Sequence, residues 1–260
     1  MGTANLQSQL WGARARDWAE VQEGVVAPLY EAVLHKTAVG ASTTLLDIGC
    51  GAGMFCQMAA KLGAQVSGID ATEPLLAIAR ERMPQGDFRA GEMEELPYSS
   101  HTYDVVTGFN SFQFAASPVK ALQEARRVAR MGASVVIAVW GKREDTEGVA
   151  LLAALGSLLP PPPPDAPGPF ALSQEGALEA LVTQAGMTPG QVEEVDCLFD
   201  YPDEKTALRG FLSAGPSIRA IQLVGEEAVR DAVGKAFAPF KTASGRYQLR
   251  NKFRYMIAST

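Results

Sequence analysis

The stretch LLDIGCGAG, residues 45 to 53, constrains this chain more than any other. An apolar run closes on an acid and is followed by three alternating glycines, the pattern of a buried strand that turns sharply into a helix. Such a turn gathers backbone N–H groups and the positive end of a helix at one spot, and glycine lets a ligand approach the main chain closely. Taken alone, it points to a nucleotide-like ligand and nothing narrower. The dinucleotide pattern G-x-G-x-x-G would need a glycine at Met54. Here Gly49, Gly51 and Gly53 follow G-x-G-x-G spacing, which counts against NAD.

Around this turn short apolar runs alternate with helical stretches, the signature of an α/β fold whose parallel sheet is covered by helices on both faces. The patterning predicts strands at 44–48, 65–69, 87–90, 103–107, 134–140, 192–199 and 253–258. It predicts helices over 53–62, from Thr72 to before Pro84, from Ser117-Pro118 to about Arg130, and from Ser173 to Gly186, with Thr72 as a cap. Residues 1–42 read as a helical N-terminal cap and residues 43–202 with 250–260 as the core. Residues 203–249, helical by pattern and too long for a hairpin loop, read as a lid inserted between the sixth and seventh strands. The prolines of LLPPPPPDAPGPFALS impose an extended polyproline course. That run reads as a stiff connector, as a wall of the active-site mouth or, behind these two, as a ligand for another domain.

Two further landmarks follow the turn. Asp70 closes the second strand in VSGID, where a carboxylate can accept from both hydroxyls of an adenosine ribose. In AGEMEELPY, Glu92 can accept from an adenine amino group while the Met93 amide meets a ring nitrogen; the plain alternative is an exposed acidic loop.

Composition narrows the partners. A net charge of −6 and no basic run argue against a surface that tracks phosphate backbones, so no nucleic-acid partner is expected. No run approaches the roughly 20 apolar residues that cross a bilayer, and MGTANLQSQL lacks the features of a secretory leader. The expectation is a cytoplasmic protein without a membrane partner, monomeric or homodimeric. Three cysteines without a CxxC pair and two histidines predict neither a disulfide framework nor a metal site. Cys50 in the glycine turn could be a nucleophile, although a small residue suits that position on steric grounds alone.

LLDIGCGAG, VSGIDAT, GEMEELPYSSHTYDVVTGFNSFQF and SPVKALQEARRVARMGASVVIAVWG occur in the order and spacing of one family. From about Leu45 to Gly141 the chain resembles the class I S-adenosylmethionine-dependent methyltransferases, in the subgroup of ubiquinone/menaquinone-biosynthesis-type and natural-product enzymes; the flanks match by layout only. The resemblance implies a Rossmann-like seven-stranded sheet in the order 3-2-1-4-5-7-6 with strand seven antiparallel, S-adenosylmethionine as cofactor and S-adenosylhomocysteine as product. It implies that Gly49, Gly51 and Gly53, with Cys50 and Ala71 beside them, line the methionine and ribose portion, and that Asp47 organises the turn. It further implies that Asp70 takes the ribose hydroxyls, that Glu92 and Met93 read the adenine, and that Phe109 lies near the methionine ammonium. Ser117 stands where the family often has an acid, and Met131-Gly132-Ala133 where it often has a Pro-Gly-Gly turn. Both departures should alter local packing only.

The chemistry so implied is an in-line displacement in which alignment and exclusion of water do most of the work; orientation alone can supply roughly 7 to 11 kcal/mol. Tyr30, His35, His101 and nearby carboxylates are the candidate bases, and Gln113 is placed to face the acceptor, though none stands out. Trp11, Trp18, Tyr30 and Gln113 are candidate pocket residues, while aromatics at helical spacing also suit a plain core. The expected acceptor is an aromatic, quinone-like or natural-product molecule methylated on oxygen or carbon. No Asn/Asp-Pro-Pro-Tyr/Phe signature follows the fourth strand, which argues against nitrogen acceptors of the base or protein-amide kind. The rival from another class is a non-catalytic S-adenosylmethionine-binding sensor or assembly partner.

Overall fold

The computed structural model describes residues 2–161 and 169–260. Its strands are β1 (Thr44–Ile48), β2 (Gln65–Asp70), β3 (Asp87–Ala90), β4 (Tyr103–Phe109), β5 (Ala129–Trp140), β6 (Val192–Tyr201) and β7 (Tyr247–Ser259). They form one sheet in the order β3-β2-β1-β4-β5-β7-β6, the order that the resemblance implied. β3 to β5 pair in parallel, whereas β7 runs antiparallel to both β5 and β6, with Phe253 opposite Trp140 on one side and Val195 on the other.

The helices are α1 (Ala4–Gly12), α2 (Ala15–Asp17), α3 (Ala27–Lys36), α4 (Met54–Lys61), α5 (Glu73–Arg82), α6 (Pro118–Val128), α7 (Val149–Ser157), α8 (Ala177–Gln184), α9 (Glu204–Phe211), α10 (Gly215–Val224) and α11 (Glu226–Phe237). Strand alternation divides the core between the two faces of the sheet. Leu45, Val105 and Val136 point to one face with Leu29, Phe55 and Leu155. Leu46, Val106 and Val135 point to the other with Leu122, Ala125 and Val182.

Several elements differ from the sequence-based reading. The helical N-terminal segment is interrupted by a π turn at Trp18–Gln22 and a 3-10 turn at Glu23–Val26, which separate α2 from α3, with Pro28 in the first turn of α3. Leu29, Val33 and Leu34 of that segment are buried in the main core rather than laid over it. Helix α6 ends at Val128 because Ala129 is already extended and opens β5. Helix α7, not expected from the sequence, occupies the apolar run before the prolines. The helix expected from Ser173 begins only at Ala177, after a 3-10 turn and a left-handed Gly176. In the insertion after β6 the helices α9–α11 end at Phe237, and Tyr247–Leu249 belong to β7. Most of the proline run lies on residues 162–168, outside the described residues.

Thr72 occupies the N-cap position of α5, but its side chain does not cap; Asp70 Oδ1 takes the Thr72 N–H at 2.8 Å instead. At α6 the departure Ser117 does cap, its hydroxyl accepting from the Lys120 N–H at 3.3 Å. The other departure, around Met131, is an exposed stretch early in β5, where the pairing with β4 is irregular and Gly132 has φ 76°. Replacing Ser117 by Ala should lower stability by about 1 kcal/mol in urea denaturation; an unchanged midpoint would show that this cap is inert.

Candidate active site

The glycine turn is fastened to β2 before any ligand is considered. The N–H groups of Gly49 and Cys50 both donate to the Ile69 carbonyl, at 2.7 and 3.1 Å. Gly49 has φ 77°, and a Cβ there would fall 2.4 Å from Ser111 Cβ, so neither the backbone nor the packing admits a side chain. Asp70 completes the clamp: Oδ2 accepts from the Gly51 N–H at 2.9 Å and Oδ1 from the Thr72 N–H. A carboxylate has about four lone-pair positions, so each oxygen keeps one for a further donor.

Beneath the turn lie acids that water does not reach. Asp47, 3% exposed, accepts from the Thr107 hydroxyl at 2.7 Å. Burial drives its carboxyl up to about 7; the Thr107 hydrogen bond opposes this, and the charges of Asp70 and Glu23 add to it. Asp70 is likewise raised by burial against its backbone hydrogen bonds. Glu23, also 3% exposed, comes from the N-terminal segment and accepts from the Met54 N–H at the start of α4. Burial raises it as well, against the pull of its ion-pair partner Arg82. Arg82 donates also to the Ala52 and Ala19 carbonyls, at 2.9 and 2.8 Å.

A cavity of about 570 Å³ opens at the carboxyl ends of the strands, within the range of small-molecule and cofactor sites. Gly49, Gly51, Asp70, Ala71, Glu92 and Met93 line it on the β3-β2-β1 side. Trp11 and Trp18, edge to face with centroids 4.8 Å apart, line it from the N-terminal segment. Trp140, Phe199 and Phe253 line it on the β5-β7-β6 side, with Leu155 of α7 and Phe211 of α9. Tyr30, Phe109 and Gln113 lie on the wall between these two sides.

At the end of β4 the chain bends through Asn110, which has the left-handed φ of 49° that asparagine tolerates better than most residues. There Asn110 Oδ1, Ser111 Oγ and Gln113 Oε1 are buried without a hydrogen-bond partner among the described residues. Unpaired buried oxygens of this kind are costly in a finished protein, and all three belong to residues that line the cavity. Glu92 is not an idle acidic loop residue: its Oε1 accepts from the Ala4 N–H at 3.3 Å, which holds the start of α1 over this side of the cavity.

Other expected residues lie elsewhere. Asp47, Cys50 and Gly53 support the turn from behind and do not line the cavity. Cys50 Sγ packs where a Cβ on Gly68 would come within 2.8 Å, and burial pushes its thiol well above the ordinary value. The small-residue reading therefore holds over the nucleophile reading. His35 is exposed in the last turn of α3, and His101 is exposed at the amino end of β4, the opposite end of the sheet from the cavity. Neither is placed to act as a base. Tyr30 is placed to act but not as a base: burial, then the charges of Glu23 and Asp47, hold its hydroxyl protonated well above its ordinary range. Sequence reasoning missed Glu23, Arg82, Trp140 and Arg219. The one sequence signal of a further wall was the run LLPPPPPDAPGPFALS, whose Leu159, Pro169, Ala171 and Leu172 line the cavity.

Asp47 gives the fold a pH signature. Its folded value of about 7 exceeds the ordinary 3.8, so the advantage of the protonated folded form is complete below 3.8 and is lost as pH rises through about 7. Asp47→Asn keeps an oxygen for Thr107 and cannot ionise. Its melting temperature should gain on the wild type as pH rises from 4 to about 7 and stay level above that; parallel pH profiles would place the titration elsewhere.

Comparison with known proteins agrees with this arrangement. Residues 46–137 match the family described as "Methyltransferase domain". The chain is 30% identical over 114 residues to a ubiquinone biosynthesis O-methyltransferase of Mesorhizobium japonicum, covering 42% of this chain and 46% of that protein. It is 26% identical over 185 residues to a malonyl-[acyl-carrier protein] O-methyltransferase of Erwinia pyrifoliae, covering 71% and 66%. The chain thus spans about half to two thirds of the length of these curated relatives. Its fold is similar to the crystal structure of an S-adenosylmethionine-dependent methyltransferase from Aquifex aeolicus, with a TM-score of 0.57 at 18% identity, covering 95% of this chain and 98% of that one. With the sheet order and the glycine turn, these matches show a methyltransferase domain at residues 46–137 within a class I methyltransferase fold, and they imply S-adenosylmethionine as its cofactor.

Proposed function

We propose that this protein methylates an apolar small molecule, by O- or C-methylation of an aromatic, quinone-like or natural-product acceptor. The observation that carries the reading is that one continuous cavity joins the glycine turn, Asp70 and Glu92 to an apolar, aromatic-lined side. The spare lone pairs of Asp70 suit the two ribose hydroxyls, and Glu92 with the Met93 amide suits the adenine edge. Gly51 carries no side chain where the turn meets the cavity, which leaves room for the methionine portion. The unpaired oxygens of Asn110 and Ser111 suit a cationic donor, in keeping with the expected ammonium contact near Phe109.

The bound cofactor supplies an electrophilic methyl group. What the chain's own residues supply is position and dryness. Trp11 and Trp18 close the cavity on the N-terminal side and α10 closes it beyond them; Gly215 lies so close to Trp11 that a Cβ would come within 2.7 Å of Nε1. Gln113, on the wall between the two sides, holds a buried amide oxygen without a partner among the described residues, and Tyr30 offers a neutral O–H. Both similar curated proteins are O-methyltransferases by name, which supports oxygen as the acceptor atom. No helix among the described residues is long and apolar enough to cross a membrane. The net charge of −6 supports the proposal that no nucleic acid is a partner, and a cytoplasmic monomer or homodimer remains part of the same proposal.

Calorimetric titration tests this reading at the cofactor. S-adenosylmethionine should bind, and Asp70→Ala should weaken it by about 1.5 to 3 kcal/mol for each ribose hydrogen bond lost, whereas NAD should give no heat. Unchanged affinity would make the ribose assignment wrong, and tight NAD binding without S-adenosylmethionine heat would overturn the function. Release of S-adenosylhomocysteine in the presence of phenols, quinols or carboxylic acids separates a transferase from a sensor.

A further inference from the structure

The acceptor's side of the cavity has an unusual charge inventory. Among the described residues that line the whole cavity only three carry an ionisable acid or base of ordinary strength: Asp70, Glu92 and Arg219. The two acids are on the β2-β3 side, and the reading above commits them to the cofactor. What remains on the β5-β7-β6 side is Trp140, Leu155, Phe199, Phe211 and Phe253, with Tyr30 held neutral on the wall beside them, and the one guanidinium lines the cavity from α10, which packs on α1 and on α7. Among the described residues no imidazole, amine or carboxylate stands there to remove a proton.

Arg219 lies on α10, is exposed at the rim, and makes no ion pair or side-chain hydrogen bond among the described residues. Its counterparts on the same helical covers are engaged. Arg14 pairs with Glu226, Arg209 with Asp17 and Glu20, and Arg230 with Glu226. An unpaired guanidinium fork at the mouth of an apolar cavity matches a planar, two-oxygen anion.

We propose that the acceptor is an apolar carboxylic acid, recruited at the rim by Arg219 and methylated on its own carboxylate. The inference rests on the methyltransferase reading above and narrows its substrate class. A carboxylate is already a nucleophile at neutral pH, so the missing base is not missed. In the transfer a carboxylate oxygen forms a bond to the methyl carbon, the carbon–sulfur bond breaks, and its electron pair stays on sulfur. Anion and sulfonium become an ester and a thioether, both uncharged at the reacting atoms, and no proton moves. Opposite charges that cancel at the transition state gain from a medium that solvates charge poorly, and this side of the cavity offers such a medium. A phenol or alcohol would instead have to shed a proton that none of the described residues on this side is placed to take.

The experiment uses the whole protein with decanoate and cinnamate as acids, decanol and cinnamyl alcohol as their neutral counterparts, and catechol as the rival acceptor. Trp11, Trp18 and Trp140 line the cavity, so tryptophan fluorescence reads binding without turnover. At least one acid should quench it more tightly than its alcohol and should yield S-adenosylhomocysteine and a methyl ester with no proton released in weakly buffered indicator solution. Arg219→Gln should raise Kd and KM for that acid about tenfold or more and leave the alcohols unchanged.

The proposal fails if acids bind no better than alcohols, if no acid is esterified while the cofactor still binds, or if Arg219→Gln leaves acid binding intact. It also fails if catechol is the acceptor and releases one proton per methyl group. If Arg219→Gln weakens S-adenosylhomocysteine but not 5′-methylthioadenosine, which lacks the amino-acid carboxylate, the guanidinium serves the cofactor and the proposal is again overturned. Failure of the wild type to bind S-adenosylmethionine at all would instead overturn the methyltransferase reading beneath it.

Discussion

The buried ion pair between Glu23 and Arg82 holds together what would otherwise be separate parts. Glu23 belongs to the irregular turns between α2 and α3, Arg82 to the end of α5, and both reach the start of α4 through Met54 and Ala52. An isolated charge in that position would cost several kcal/mol, so each partner makes the other tolerable. The N-terminal segment therefore cannot lift as a loose flap without exposing or stranding a charge at the base of the glycine turn. The cofactor's side of the cavity is rigid by electrostatics where the acceptor's side is rigid by aromatic packing, as in the Trp140–Phe253 stack at 4.5 Å.

Three acids, Glu23, Asp47 and Asp70, crowd beneath and beside one turn, and burial raises all of them. Proteins seldom keep such a set without a use, and a cationic ligand would relieve it. The sulfonium cofactor is such a ligand, whereas its product carries no charge on sulfur.

Most of the β1–β5 half was legible in the sequence because it is built from local signals. Alternating glycines dictate a turn, Asp70 and Glu92 sit at strand ends that a period-two pattern locates, and Pro74 and Pro118 mark helix starts. The acceptor's half was not legible for physical reasons. Arg219, Trp140 and Phe211 come together only through the insertion of β7 between β5 and β6 and the docking of α10 on α1, contacts between residues far apart in the chain. Thr72 shows a smaller version of the same limit: its pattern of cap, acid and proline locates the helix start, yet its hydroxyl makes no cap hydrogen bond. Likewise His35 and His101 have the right chemistry for a base, and only the direction of their elements removes them from the site.

The place of β7 bears on how the molecule is made. β1 to β5 pair in succession, each strand finding a partner already synthesised, so the cofactor's half can assemble as the chain emerges from the ribosome. β6 has no such partner, because the strand that joins it to β5 comes last in chain order. Until β7 emerges, β6 and the three helices after it have no sheet to join, and the acceptor's chamber lacks Phe253 and the floor beneath Phe199. A growing chain would thus acquire its nucleotide site well before its chamber for an acceptor.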